Sequence, residues 1–174
     1  GLVERVVTRL LLLLLLLPAC ASSGRVTDAL DDWRRGRRDD AIVKAHAEVE
    51  RFRSGNAITQ AEVDHELAEI DRWFRDETPI LLPDKAPPPI GEPTPIDLDA
   101  GIRHDLASLG ATRTLRALRV VERLTMQRFS TDLFVIVWRR EPFTADGKLL
   151  ADKSKALRSV TVKAAALRAL KALR

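Results

Sequence analysis

Apolar residues recur at helical spacing in the first half of the chain. One stripe consists of Ile42, Ala45, Val49 and Phe52, and a second of Val63, Leu67, Ile70 and Phe74. Steps of three and four residues place each stripe on one face of an amphipathic helix. A shorter pattern with Leu30 and Trp33 precedes them and ends near Gly36. The pattern predicts a three-helix unit over residues 27–77.

The ends of these helices carry local signals. Thr59 and Glu62 have the spacing of a capping box, and Ile58 with Val63 has that of a hydrophobic staple. The third helix is therefore expected to begin at residue 59 or 60. Gly55 is expected to take a left-handed conformation after the second helix.

A proline-rich segment follows the three helices. Seven of the nine prolines lie in it, namely Pro79, Pro83, Pro87, Pro88, Pro89, Pro93 and Pro95. Such a density excludes regular helix and central strand and favours extended polyproline II. Residues 78–96 are therefore predicted to be a linker.

The second half predicts a different architecture. A helical pattern runs from residue 97 to about Phe129, with a possible kink at Gly110. The continuous apolar run Leu133–Trp138 indicates a buried strand, and Ser159–Val162 a partner strand in a short β-hairpin, with a closing helix from Val162 to Arg174. A helix over residues 156–174 fits that segment equally well. The predicted fold class is α+β, mostly helical, with residues 97–174 as a basic α+β unit.

The N-terminal segment has the features of an export signal. Arg5 and Arg9 are followed by the unbroken leucine run of residues 10–17. The apolar stretch is about twelve residues, or roughly 18 Å as a helix, which is short of the ~30 Å needed to cross a bilayer. Residues 1–19 are predicted to be a signal peptide, and residues 20–26 a polar tether.

The end of this signal resembles the lipobox of bacterial lipoproteins. Leu17, Ala19 and Cys20 match that motif, whereas Pro18 departs from it. The resemblance implies lipidation of Cys20, cleavage before it, and an anchor on the periplasmic face of the outer membrane. The alternative is cleavage after Ala21 at Ala19-Cys20-Ala21, which would release a soluble periplasmic or secreted protein.

A weaker resemblance covers residues 29–53. Gly36 and Ala41 occupy the places that a tetratricopeptide repeat gives to the end of its first helix and the start of its second. Arg38 stands where that family has an aromatic residue, and the motif does not recur at the expected period. The resemblance implies a helix pair that packs face to face.

Charge divides the chain into two unlike halves. Residues 25–77 carry 14 acidic and 10 basic side chains, whereas residues 101–174 carry 6 acidic and 16 basic ones. The candidate contacts for an anionic or protein partner are the basic residues of the tail: Lys153, Lys155, Arg158, Lys163, Arg168, Lys171 and Arg174. Export favours an envelope protein or an anionic envelope polymer as the partner. Nucleic acid is expected only if the chain stays in the cytoplasm.

Motifs of catalysis are missing from the sequence. It has no nucleophile elbow, phosphate-binding loop, paired cysteines or zinc-binding His-Glu motif. The densest metal-like group is Glu62, His65, Glu66 and Glu69, whose His65 and Glu69 are expected to face water, so no metal or cofactor is predicted. The sequence thus predicts a non-enzymatic adaptor or binding module, exported and anchored through Cys20.

Overall fold

The computed structural model describes residues 24–76, 95–108, 110–140 and 153–174. These residues form seven α-helices and one short 3-10 helix at Gln127–Phe129. The helices are α1 (Val26–Arg34), α2 (Arg38–Gly55), α3 (Gln60–Asp76), α4 (Pro95–Ala107), α5 (Ala111–Arg123), α6 (Ser130–Trp138) and α7 (Lys153–Leu173).

The first three helices agree with the hydrophobic pattern. Every member of the α2 stripe is buried, and in α3 Val63 and Ile70 are buried while Leu67 and Phe74 pack at the edge of the core. The capping box is also confirmed, because Glu62 N–H donates to Thr59 Oγ1 at 3.2 Å and Thr59 N–H donates to Glu62 Oε2 at 2.7 Å. Ile58 and Val63 lie in the same buried cluster, as the staple requires.

The predicted left-handed glycine was wrong. Gly55 is the last residue of α2, and the positive φ of that turn belongs instead to Ala57, at 54°. Asn56 continues the turn by donating its side-chain amide to the carbonyl oxygen of Phe52 at 2.8 Å. Among the described glycines, Gly36, between α1 and α2, has a positive φ, at 79°.

The β-hairpin was also wrong, and with it the α+β fold class. The described residues contain no strand: Leu133–Trp138 lies in helix α6, and Ser159–Val162 lies in the middle of α7. The helix alternative for residues 156–174 is correct. The mostly helical character of the fold is confirmed.

Burial explains why helix α6 has a continuous apolar sequence that resembles a strand. In α6 the side chains of Leu133, Phe134, Ile136 and Val137 are buried, whereas Val135 remains 50% exposed. A helix covered on most of its surface needs no alternation of polar and apolar residues, so its sequence resembles that of a buried strand. Trp33 of α1 packs edge-on against Phe134, with ring centroids 5.5 Å apart.

The long helix expected before Phe129 is divided in two. α4 ends at Ala107 and α5 begins at Ala111. Arg139 closes the end of α4 by donating to the carbonyl oxygens of Leu106 at 2.9 Å and Ser108 at 3.2 Å. The Thr114 hydroxyl, 3.0 Å from the Ser108 carbonyl oxygen, holds the start of α5 against the same break.

Helix α7 lies at the centre of the bundle. It packs against α2, α3, α5 and α6, while α1 packs on α2 and α6, and α4 packs on α5 and α6. Eleven of its residues are buried, from Ala156 to Leu173. The larger hydrophobic cluster includes residues from all seven helices, so the three N-terminal helices share a core with the C-terminal ones.

Side-chain contacts fix the direction of the helices around α7. Arg38, at the start of α2, donates to the carbonyl oxygen of Leu173 at 3.1 Å, so α2 runs antiparallel to α7. Glu62 near the start of α3 pairs with Lys153 at 2.8 Å, so α3 runs parallel to α7. α2 and α3 thus stand on either side of one stretch of α7.

Candidate binding groove on the central helix

The predicted signal peptide of residues 1–19, the lipidation site Cys20 and the alternative cleavage site after Ala21 fall outside the described residues. The same holds for residues 20–23 of the predicted tether, whose last residue, Val26, begins α1. Most of the predicted linker also lies outside the described residues, although Pro95 and Ile96 belong to the first turn of α4. Proline suits that position because the backbone N–H groups of the first helical turn have no acceptor within the helix, so the N–H that proline lacks is not needed there.

The seven candidate contact residues of the tail are distributed over several faces of α7. Lys163 is buried, at 2% exposure. Its Nζ donates to the carbonyl oxygens of Val137, at 2.8 Å, and Ile136, at 3.3 Å, and also to that of Arg139. It therefore closes the C-terminal end of α6, where a cation is favoured by the helix dipole, and lies over the Phe52 ring at 4.7 Å.

The other six residues are divided between ion pairs and open surface. Lys153 pairs with Glu62 at 2.8 Å and Arg174 with Asp39 at 2.9 Å. Arg168 is half-buried and pairs with Asp71 and Glu122. Lys155, Arg158 and Lys171 are exposed. The structure therefore does not gather the seven cations into one patch.

A groove runs along α7 between the walls formed by α2 and α3. Its volume is about 200 Å³. Its apolar lining consists of Val49, Val63, Leu67, Val160, Ala164 and Leu167, and its polar lining of His46, Glu50, Arg53, Gln60, Arg168 and Lys171. The α7 members extend from residue 160 to residue 171, which is about 16 Å along a helix axis.

Helical spacing explains how the sequence builds this surface. The α2 residues of the lining are separated by three, one and three positions, and the α3 residues by three and four. Such spacings place them on one face of each helix. The small side chain of Ala164 keeps the middle of the α7 surface low between the two walls.

The charges of the groove are mostly paired. Arg53 holds Glu50 at 2.6 Å and donates to the carbonyl oxygen of Ile58 at 2.7 Å. The hydrogen bond from Arg53 lowers the pKa of Glu50, which is therefore ionised at neutral pH. This pair is internally neutral and fixes the turn between α2 and α3.

A second group of charges lies where α3, α5 and α7 meet. Arg168 donates to both oxygens of Asp71, at 2.9 and 3.0 Å, and to Glu122 at 3.2 Å. Burial lowers the pKa of Arg168, but the two carboxylates outweigh that effect and raise it. Arg119 lies 3.5 Å from Asp71, which adds a second cation to the cluster.

Lys171 differs from these groups. It lies on the groove at the C-terminal end of α7, is exposed, and has no ion-pair partner among the described residues. His46 of α2 lines the same groove and is exposed. The end of the groove near Lys171 therefore carries an unneutralised positive charge beside an apolar floor.

The described residues contain no group of three or more His, Cys, Asp or Glu side chains placed to hold a metal ion. In the cluster weighed from the sequence, Glu62 is bonded to Thr59 and Lys153, Glu69 pairs with Arg72 at 3.0 Å, and His65 is exposed. None of the helices in the described part of the chain has the length and hydropathy of a bilayer-spanning helix.

A scan against protein-family models and searches of curated proteins and of solved structures found no significant match to this chain.

Sequence reasoning missed the groove because its three sides come from distant segments. Residues 46–53, 60–67 and 160–171 meet only when α7 is a helix. The hydrophobic stripes of α2 and α3 contained part of the signal, since Val49, Val63 and Leu67 belong to them. A helix at residues 153–173 places the remaining lining residues on one element, but it does not by itself indicate which helix faces meet.

Proposed function

We propose that this chain is an exported, lipid-anchored protein of the cell envelope that acts as a non-enzymatic adaptor. Cys20 holds it to the membrane, and the helical bundle binds a partner. The observation that carries the binding role is the open groove on α7, with its apolar floor and the exposed Lys171 at one end. The sequence Leu17-Pro18-Ala19-Cys20 supports the anchor.

A binding role fits the placement of the chemistry-bearing residues. The charged side chains of the groove other than Lys171 and His46 are engaged in ion pairs that stabilise the fold. Paired charges of this kind position helices and are not available as a general base or nucleophile. The groove offers shape, apolar surface and one free cation, which are the means of a binding surface.

The anchor is tested by labelling cells with radioactive palmitate. We expect the wild-type chain to take up the label and to fractionate with membranes. The Cys20→Ser variant should lose the label and move to the soluble fraction, whereas Ser22→Ala should behave as wild type. A Cys20→Ser chain that remains in the membrane would contradict the anchor.

The binding role is tested by placing a photo-crosslinking amino acid in the groove of the anchored protein. With the probe at position 164, we expect a crosslinked species of discrete mass in the envelope. With the probe at Lys155, which is exposed on the same helix outside the groove, that species should be absent. Equal crosslinking from both positions would contradict a specific partner.

The sequence Ala19-Cys20-Ala21 favours a second candidate, a soluble periplasmic or secreted protein cleaved after Ala21. The mass of the mature protein separates the two. An acylated N-terminal Cys20 supports the anchored form, and an unmodified N-terminal Ser22 supports the soluble one. A chain recovered uncleaved from the cytosol would contradict both and favour the nucleic-acid alternative.

A further inference from the structure

The groove on α7 also indicates what kind of segment occupies it. We infer that it binds an amphipathic helix of a partner protein, with an apolar stripe against Leu67 and Ala164 and acidic residues beside Lys171. This inference deepens the proposed function and rests on its claim that the bundle binds a partner.

Size argues against a whole small molecule. Sites that enclose a ligand of drug or cofactor size have volumes of roughly 300–1,000 Å³. The groove measures about 200 Å³ and is only partly enclosed. It can therefore receive a few side chains of a longer segment that lies across it.

The lining argues for a helix among the ways that proteins bind peptides. An extended peptide would add to a strand edge, and the described residues contain no strand. A polyproline segment is held by aromatic side chains, and none lines this groove. What the groove offers is an apolar floor about two helical turns long, from Val160 to Leu167, between two helices. Such a floor suits a helix with apolar residues at positions i, i+3, i+4 and i+7.

Charge argues for acidic residues on that helix. Glu50 is neutralised by Arg53, and Arg168 by Asp71 and Glu122. Lys171 is the cation of the groove that has no partner in these pairs. His46, at the edge of the groove, adds a second possible hydrogen-bond donor. A carboxylate of the partner near Lys171 would complement this charge and orient the helix along the groove.

The experiment uses a displayed library of random 16-residue peptides, selected on the full chain. Binders are counter-selected on the Ala164→Arg variant, in which a long side chain fills the middle of the groove. We expect the enriched peptides to have helical apolar spacing and an excess of Asp and Glu over Lys and Arg. Enrichment of proline-rich or alternating sequences, or of no sequence sensitive to Ala164→Arg, overturns the inference.

Lys171 then provides the sharper test. For an enriched peptide, Lys171→Glu should weaken binding about threefold to tenfold, which is the effect of reversing one partly exposed ion pair. A peptide with its acidic residues changed to lysine should regain affinity for Lys171→Glu. The matched control Lys155→Glu, on the same helix outside the groove, should leave both affinities unchanged, and an equal loss in that control overturns the role of Lys171.

Three further outcomes test the occupant of the groove and separate this inference from the proposals on which it rests. A dimer of the full chain that dissociates in Ala164→Arg would assign the groove to a second copy and overturn the inference. If palmitate labelling and groove crosslinking are both observed but no helical peptide is enriched, the inference of a helical partner is overturned and the proposal of an anchored adaptor stands. If helical peptides bind but the chain takes up no palmitate, the proposed lipid anchor is contradicted and the inference of a helical partner stands.

Discussion

Lys163 lies inside the bundle with its Nζ 2.8 Å from the carbonyl oxygen of Val137, so a lysine of the basic tail closes the end of a neighbouring helix. The last carbonyl groups of a helix have no partner within that helix. Where they are buried, a donor must come from elsewhere, because an unsatisfied buried carbonyl is costly. α7 supplies this donor to α6, and the contact fixes the position of α7 along α6.

Replacing Lys163 should therefore destabilise the whole bundle. Lys163→Met keeps the length of the side chain but removes its donors, and should lower the free energy of unfolding by about 2–3 kcal/mol. Urea denaturation measures this change. Lys155→Met, on the exposed side of the same helix, should change stability by less than about 0.5 kcal/mol. Equal effects in the two variants would show that the α6 cap contributes nothing.

The correction from strand to helix at residues 133–138 leads to a second prediction. Phe134 is fully buried, whereas its neighbour Val135 is 50% exposed. Phe134→Ala should lower the free energy of unfolding by about 3–5 kcal/mol. Val135→Lys should remain folded within about 0.5 kcal/mol of wild type, as judged by urea denaturation and circular dichroism. A strand buried on both faces would tolerate neither change.

A comparison of α2 and α3 with α6 and α7 shows which helices the sequence could predict. α2 and α3 each carry one apolar face against the bundle, so their burial is visible as a stripe of single residues three and four apart. α6 and α7 are covered on several faces, and this erases the stripe. The β-branched group Val160, Thr161 and Val162 then left strand and helix equally open, and packing on several sides decided for a helix.

The candidate site depended on that same decision. Lys163 was expected at the surface with the other cations of the tail, and only the rotation of α7 within the bundle turns it inward. The groove likewise requires the faces of three helices to meet. Local sequence determines which side chains share a face of one helix, but not which faces become neighbours.

The bridge between α3 and α7 is open to a double-mutant cycle. Arg168 and Asp71 form a two-pronged ion pair at 2.9 and 3.0 Å, with both side chains about one-third exposed. The coupling energy between Asp71→Asn and Arg168→Gln should be about 1 kcal/mol and should fall in 1 M salt. The pair Glu69–Arg72, which lies within α3, should couple by less than about 0.5 kcal/mol. A coupling for Asp71 and Arg168 that is no larger than this control would contradict a stabilising bridge.

Acid should weaken the contact between the starts of α3 and α7. The hydrogen bond from Lys153, with those from Thr59, lowers the pKa of Glu62 from 4.5 to about 2. A carboxyl whose pKa is lowered by folding stabilises the protein above its unfolded pKa, and this stabilisation is lost as pH falls through the folded pKa. The contribution of Glu62 should thus be complete above about pH 4.5 and disappear towards pH 2.

Urea denaturation at a series of pH values measures this effect. The difference in stability between wild type and Glu62→Gln should be constant at neutral pH and close to zero near pH 2. Lys153→Gln should reduce the same difference, since it removes the main cause of the lowered pKa. Lys155→Gln, two residues away on an exposed position, should leave the pH profile as in wild type, and a profile changed equally by both lysine variants would contradict the assignment.

Replacing one residue in the turn after α5 should increase the stability of the protein. Thr125 has a φ of 46°, a left-handed conformation that is unfavourable for a β-branched side chain. Thr125→Gly removes this strain and keeps the backbone hydrogen bond from residue 125 to the Glu122 carbonyl oxygen, at 3.3 Å. Glycine also has greater freedom in the unfolded chain, so the net gain in stability should be about 0.5–1 kcal/mol. Thr112→Gly at an exposed position of α5 should have the opposite sign and cost a few tenths of a kcal/mol. Thermal unfolding compares the two, and a loss of stability in both variants would mean that the backbone at residue 125 stores no strain.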